Sequence, residues 1–403
     1  MKILLVSSKY MPEYSGSGFR AHNLYKRLCT RNPEISLRVL CSSSTENDNL
    51  AYSYDGFEVM RIARHPYQPG GKGPLRFWRN WRNFEEAYSN TISYLEKIPR
   101  PDILHVFGKS YVTAAALIWA NTKGIPALIE LVNEMNTPFQ YVPLPSRLYI
   151  PAAFPSRHKI VCISERLKGI CIGHRLSEKD LWTRPNPVDE TRFHPVSAER
   201  KMELRHKLTK FGPDDKLVSY VAKYSDRKNH RFLIDVMKKL PGNYKLFLGG
   251  PLVSEGFGAD AFLKLYEGIA KAVSENGLEE RVQLENGFIE NVEDYYQMAD
   301  VSAFPSKAEG LGTPMLEAVA CGVPVVMNRI PGISDSWLQD GQNGFSCELD
   351  AEKFASKIGQ AAAFPEEQCR AESGKILAAA STKVIDDGYE AILAGLLSEK
   401  EPK

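Results

Sequence analysis

The sequence predicts an α/β protein made of two doubly wound domains, each a parallel sheet wrapped by helices. Three observations lead to that class. Short apolar runs alternate with helix-length stretches along the whole chain, the pattern of buried parallel strands joined by crossover helices. The alternation comes in two series, separated by a polar stretch from Pro185 to Pro195 that three prolines interrupt. At 403 residues the chain is also longer than one compact core usually sustains.

The first series reads as strands over Lys2–Ser7, Leu37–Cys41, Ile103–Phe107, Ala127–Leu131 and Lys159–Ile163. Leu217–Ala222, Lys245–Leu248, Val282–Leu284, Val301–Phe304 and Val323–Met327 repeat the pattern in the second. Each run is four to six apolar-rich residues or shorter, too short for a helix and bounded by turn formers. The expected domains are 1–190 and 191–382. A closing helix, about 383–403, has apolar residues at helical spacing (Val384, Ile385, Tyr389, Ile392, Leu393, Leu396); either domain could accept it, and it is assigned to the first. Ligands of doubly wound sheets bind beyond the C-terminal strand ends, so two such domains are expected to face a central cleft.

Composition narrows the function classes. The formal net charge is +2, from 51 Lys and Arg against 49 Asp and Glu, so nucleic acid is not an expected partner. Seven cysteines without a Cys-x-x-Cys pair argue against a disulfide framework and for a reducing compartment. The N-terminal apolar run is too short for a signal peptide, and no window approaches the ~18 apolar residues of a membrane span. A cytoplasmic protein is expected, either free or peripheral on the inner face of a membrane. The eight histidines show no metal-ligand spacing, so no metal is expected.

The most informative stretch is Glu309-Gly310-Leu311-Gly312-Thr313-Pro314-Met315-Leu316-Glu317. Thr313 reads as an N-cap and Pro314 as the first helical residue. Cys321-Gly322-Val323-Pro324 reads as the helix stop. Glu309 then lies on the loop before a short helix, and Glu317 one turn inside it. The helix N-terminus between them offers unpaired N–H groups and partial positive charge, which suit a diphosphate. An anion site flanked by two carboxylates able to bind hydroxyls describes a nucleotide-sugar pocket. A purely structural reading, acidic residues favouring a helix N-terminus, accounts for ~0.3–1 kcal/mol and leaves Glu317 free for a ligand.

Asp300-Val301, Phe304-Pro305-Ser306, Glu309-Gly310-Leu311-Gly312, Glu317-Ala318 and Ala320-Cys321-Gly322-Val323-Pro324 together resemble the donor-site motif of family 4 glycosyltransferases. These are retaining enzymes of the GT-B fold with an E-x7-E motif. Val161–Glu165, Asn186–Asp189 and Gly332–Asp335 extend the likeness, which is weaker between residues 45 and 160. The resemblance implies two Rossmann-like domains and a nucleotide-diphosphate sugar as co-substrate, without a cofactor. It implies that Glu317 accepts hydrogen bonds from the ribose hydroxyls and that Glu309 contacts the donor sugar. The N–H groups of Gly310, Leu311, Gly312 and Thr313 would hold the diphosphate and sugar. The basic pair of the family falls on Val221–Asn229: Lys228 matches the family lysine, whereas Lys223 stands where arginine is usual and Ala222 where glycine is usual. Lysine keeps the charge but loses the planar fork of arginine.

Gly16 and Gly18 follow the first strand and precede a helix. As a glycine loop closing over donor phosphates they fit the resemblance; as a plain strand–helix connection they need no ligand. Gly16-x-Gly18-x-x-Ala21 matches the dinucleotide fingerprint only formally, because the glycines come well after the strand end and no acidic residue ends the second strand. On the acceptor side the usual family histidine is missing; His105, Glu130 and Asn133 are the candidates, with Glu134 and His22 beside them. Arg76–Phe84 carries Phe77, Trp81, Phe84 and, beyond it, Tyr88 on one helical face. That stripe is either core or a basic aromatic helix for an anionic membrane or a lipid-linked acceptor.

The expected activity is therefore retaining transfer of a hexose-type sugar to the hydroxyl of a carbohydrate or lipid-linked acceptor, in cell-surface glycan or glycolipid synthesis. Two rivals remain. A nucleotide-sugar epimerase on the same fold would turn over its substrate without an acceptor. An inactive sugar-nucleotide-binding scaffold would not hydrolyse the donor at all.

Overall fold

The computed structural model describes residues 1–13, 15–42, 48–63, 74–131, 156–252 and 259–398. The chain divides into two compact units, Met1–Arg184 with Ile385–Lys403, and Pro185–Val384. Both are parallel α/β sheets of the Rossmann type, as the alternating pattern predicts.

Among the described residues the first unit has strands β1 (Lys2–Ser7), β2 (Ser36–Ser42), β3 (Leu50–Tyr54), β4 (Phe57–Ile62), β5 (Ile103–Phe107), β6 (Ala127–Leu131), β7 (His158–Cys162) and β8 (Leu181–Thr183). Their order is β3-β4-β2-β1-β5-β6-β7-β8, and only β3 runs antiparallel to its neighbour. Strands β5 and β6 are buried along their whole length, which is why they read as continuous rather than alternating apolar runs. The hairpin β3–β4 was not anticipated. Its turn is Asp55-Gly56, with φ of 49° and 84°, the two-residue type I′ geometry that matches strand twist.

The helix Pro74–Leu95 settles part of the aromatic stripe. Phe84 is buried and packs edge-on to Tyr111 at 5.7 Å between ring centroids, so this part of the face belongs to the core. Trp78 is 64% exposed. The side chains of Arg76, Phe77 and Arg79 lie outside the described residues, as do Arg64, His65 and Lys72.

The closing helix, Thr382–Ser398, packs into the first unit, with Ile385, Tyr389, Leu393 and Leu396 in one core cluster with Ile3, Leu5 and Tyr25. Arg27 grips Asp386 with two bonds of 2.7 and 2.8 Å. Deeper in, a polar network fills the same core. Glu130 accepts from Arg184 Nη2 at 2.8 Å and from the Tyr389 hydroxyl at 2.6 Å, and lies 3.2 Å from His105 Nε2. His105 Nδ1 lies 2.6 Å from the Tyr25 hydroxyl. Burial lowers the His105 pKa, so its ring is neutral. The Arg184 charge, with the His105 and Tyr389 hydrogen bonds, holds Glu130 below its ordinary value despite burial, so it is ionised. The protons then fall in one consistent order: Tyr25 donates to Nδ1, and Nε2–H, Tyr389 and Arg184 all donate to the carboxylate.

The second unit has, among the described residues, β9 (Lys216–Val221), β10 (Tyr244–Gly249), β11 (Val282–Leu284), β12 (Val301–Phe304), β13 (Val325–Asn328) and β14 (Gly344–Cys347), in the order β11-β10-β9-β12-β13-β14. From β9 the chain winds outward to β10 and β11; from β12 it winds the other way. The crevice between β9 and β12 is thus the topological switch point, the place where such sheets bind ligands. No helix among the described residues is long and apolar enough to cross a membrane.

Replacing Arg184 with Met should leave the Glu130 carboxylate buried without its cation and cost the first unit about 3–5 kcal/mol. Urea unfolding followed by circular dichroism measures this as a lower midpoint.

Candidate functional site

The site is built from two loops of the second unit, one leaving β9 and the other leaving β12. They are stitched together before any ligand is considered. Lys307 N–H donates to the Arg227 carbonyl at 2.8 Å, and Asn229 Nδ2 to the Pro305 carbonyl at 3.2 Å. The Tyr220 hydroxyl donates to the Lys228 carbonyl at 2.9 Å and meets Ser306 Oγ at 3.2 Å. Asn328 Nδ2, from β13, donates to the Ser306 carbonyl at 3.0 Å. Across this seam Lys228 Nζ lies 2.6 Å from Glu309 Oε1, in a pair whose side chains are 14% and 12% exposed.

The helix after the second loop is Thr313–Ala320. Its N-cap is Gly312, not Thr313, and Pro314 is the second helical residue. The reason is conformational. The chain enters the helix through a residue with φ of 78°, which glycine tolerates and threonine does not. Thr313 is then free to use its hydroxyl otherwise, accepting from Asn186 Nδ2 at 2.8 Å. Leu311 is buried in the core, so its side chain anchors the loop and only its backbone is available. The helix ends in a Schellman motif: Gly322 N–H bonds the Val319 carbonyl at 2.9 Å and Val323 N–H the Ala318 carbonyl at 3.1 Å.

Glu317 is the fifth residue of that helix and lies only partly open to solvent. Burial pushes its pKa up to about 7, offset in part by the Arg192 charge and by the Tyr296 hydroxyl 3.5 Å from Oε2. Arg192 is itself held by Glu293 through bonds of 2.9 and 2.6 Å. A carboxylate in this setting lacks strong donors of its own and gains by meeting a pair of hydroxyls.

The loop leaving β9 has a second support. His230 is buried, stacks on Tyr224 at 4.5 Å and donates Nε2–H to the Ala222 carbonyl at 3.1 Å. Burial lowers its pKa to about 4, so it is neutral near pH 7. Lys223 is exposed and its ammonium lies 4.8 Å from the centre of the Phe262 ring.

The structure brings Lys228, Glu309, Gly310, Leu311, Gly312 and Thr313 onto these two stitched loops, with Glu317 one turn into the helix. Lys223 shares the loop of Lys228. Gly16 and Gly18 belong to the first unit, at the start of the helix Gly16–Arg31. A Cβ on Gly18 would lie 2.5 Å from the Lys9 carbonyl oxygen, so close packing alone demands glycine there; Gly16 has open space around it. His105 and Glu130 are fully enclosed in the network described above, with 0% side-chain exposure. His22 is buried between Tyr10 and Asp55, at 2.8 and 3.2 Å. Asn133 and Glu134 lie outside the described residues. Sequence reasoning did not find Tyr220, Tyr296, Arg192 or His230, and gave Asn186 only as part of the resembling segment Asn186–Asp189. The first four sit in no local motif, and each acts across more than one element. Among the described residues no group of three or more His, Cys, Asp or Glu could hold a metal ion.

Comparison with known proteins finds a likeness over the stretch that carries these loops. Residues 215–363, which carry both loops and the helix, match the family model described as Glycosyl transferases group 1. The fold of the chain is that of the GT-B glycosyltransferases. Anabaena Alr3699/HepE, solved in complex with UDP and glucose, superposes with a TM-score of 0.70 over 98% of this chain and 100% of its own, at 17% identity, a likeness of fold alone. Among curated proteins, the putative glycosyltransferase EpsD of Bacillus subtilis (strain 168) is 32% identical over 44% of this chain and 44% of its own length. The chain thus matches less than half of that relative. The uncharacterized glycosyltransferase MJ1178 of Methanocaldococcus jannaschii is 28% identical over 86% of this chain and 84% of its own. Together these matches support a glycosyltransferase.

The raised Glu317 pKa makes a stability prediction of definite sign. The folded protein holds a proton there that the unfolded chain releases near the ordinary glutamate value. The resulting stabilisation is complete below pH ~4.5 and is lost as pH rises through about 7. Glu317→Gln should therefore unfold at a higher denaturant concentration than wild type at pH 8, by on the order of 1–3 kcal/mol, and no higher at pH 5. Equal midpoints at pH 8 would show that the carboxylate is comfortably solvated.

Proposed function

We propose that this chain is a retaining glycosyltransferase that moves a hexose-type sugar from a nucleotide-diphosphate sugar to an acceptor hydroxyl. The observation that carries the reading is the grouping on one switch-point crevice of a fixed lysine, a fixed carboxylate, a helix N-terminus and a second carboxylate one turn inside that helix. Each part has a role in this chemistry. Glu317 accepts both ribose hydroxyls. The N–H groups from Gly310 to Thr313 receive the diphosphate and the sugar, and Glu309 takes a sugar hydroxyl. Breaking the sugar–phosphate bond develops negative charge on the departing diphosphate, and Lys228 and Lys223 stabilise it. The acceptor oxygen attacks the anomeric carbon on the face the phosphate leaves, and the freed phosphate oxygen takes the acceptor proton. That path needs no protein base, in keeping with the enclosure of His105 and Glu130. The reading calls for no cofactor and no metal.

Support comes from the group 1 match over the stretch that holds these residues and from a structural neighbour whose complex contains UDP and glucose. The acceptor in this reading is a carbohydrate or lipid-linked hydroxyl compound, and the setting is cell-surface glycan or glycolipid synthesis. The exposed Trp78 on the helix Pro74–Leu95 suits a protein peripheral on an anionic membrane.

The test is a thermal-shift panel of UDP-, GDP- and ADP-sugars. A ligand at 100 times its Kd should stabilise by about 2.7 kcal/mol, and Glu317→Ala should abolish the response. No shift with any activated sugar refutes the reading. In turnover with the donor so identified, Lys228→Ala should lower kcat by about 10²–10³. A value within threefold of wild type removes Lys228 from the chemistry.

A further inference from the structure

Lys228 and Glu309 are already paired before any ligand arrives, at 2.6 Å and with little solvent around either side chain. The residues on both sides of Lys228 are bonded to the loop that carries Glu309, the Arg227 carbonyl accepting from Lys307 N–H at 2.8 Å and the Asn229 side-chain amide donating Nδ2–H to the Pro305 carbonyl at 3.2 Å. The anion site therefore contains a built-in negative charge that opposes the anion it receives. A crevice evolved only to hold phosphate would leave the lysine unopposed.

We infer that Glu309 sorts the sugar-bearing donor from the spent nucleoside diphosphate by charge, and so speeds release of that by-product. The inference rests on the glycosyl-transfer reading above. In a nucleotide sugar the terminal phosphate is esterified, carries one negative charge fewer, and presents sugar hydroxyls that donate to the Glu309 carboxylate. Lys228 then turns to the diphosphate while Glu309 keeps a hydrogen-bonded partner. After transfer the hydroxyls leave with the product, and once the proton taken from the acceptor is lost to solvent the terminal phosphate carries one negative charge more. Glu309 then faces a like charge in a poorly solvated site and competes for the same ammonium. Like charges a few ångström apart in a poorly solvated site repel strongly enough to set a preference. The carboxylate is thereby a specificity-determining group in addition to a sugar contact.

The experiment is calorimetric binding of three matched ligands, nucleoside monophosphate, nucleoside diphosphate and nucleotide sugar, in the uridine, guanosine and adenosine series. Wild type is compared with Glu309→Gln and Glu309→Asp. Glu309→Gln should bind the diphosphate about tenfold more tightly than wild type, bind the nucleotide sugar no more tightly, and bind the monophosphate unchanged. Glu309→Asp keeps the charge and should keep the wild-type preference. Thermal melts of each variant report folding. If both ligands bind wild type and the ratio of their affinities is the same in Glu309→Gln, the sorting role is wrong while the glycosyl-transfer reading stands. If Glu309→Gln weakens the diphosphate, Glu309 aids product binding and the inference is overturned. If no nucleotide of any series binds wild type, the glycosyl-transfer reading fails and takes the inference with it.

Discussion

Two parallel strands that lie side by side and send their chains in opposite directions are the constraint on which the second unit depends. Between β9 and β12 neither exit is blocked by a crossover helix, so two loops can meet above the strand ends. What makes the meeting productive is the hydrogen bonding between them. Main-chain and amide bonds fix the backbone, and the Lys228–Glu309 pair then has one geometry rather than many. Preorganisation of this kind is where electrostatic catalysis gains its advantage over water, whose dipoles must reorient as charge develops. Behind the loops, the Tyr220 hydroxyl holds the Lys228 carbonyl and the His230 ring holds the Ala222 carbonyl in place.

The two units use buried carboxylates to opposite ends. Glu130 is surrounded by an arginine, a histidine and a tyrosine that all donate to it, and its charge is settled within the fold. Glu317 has one long contact from a tyrosine and an arginine already committed elsewhere, and its charge is left poorly satisfied. A fully satisfied network gives rigidity, whereas an under-satisfied group retains binding energy for a ligand. The contrast separates the two glutamates more sharply than burial does.

Much of this was legible in the residues. The central strands of both sheets were visible because parallel strands buried on two faces are written as short unbroken apolar runs, whereas the edge strands β8 (Leu181–Thr183) and β14 (Gly344–Cys347) were not anticipated. The carboxylates of the second unit were visible because they flank a helix start within nine residues of sequence. The hairpin β3–β4 carried its Asp-Gly signal openly and was passed over because its strands are half-exposed and lack such a run. The N-cap shifted by one residue because threonine's capping preference yields to a backbone angle that only its glycine neighbour accepts. His105 and Glu130 looked like acceptor-side groups as isolated residues. Their enclosure depends on Tyr25, Arg184 and Tyr389, and no local pattern links positions so far apart in the chain.

The closing helix has a consequence for how the protein is made. Tyr389 and Leu393 complete the core of the unit that the ribosome produces first, yet they emerge after the whole of the other unit. Until they arrive, the early sheet must wait with an apolar face and an arginine–glutamate pair uncovered, while the later unit has every residue of its own in hand. Order of synthesis and order of completion are therefore reversed, and the nascent chain must be kept from aggregating through that interval.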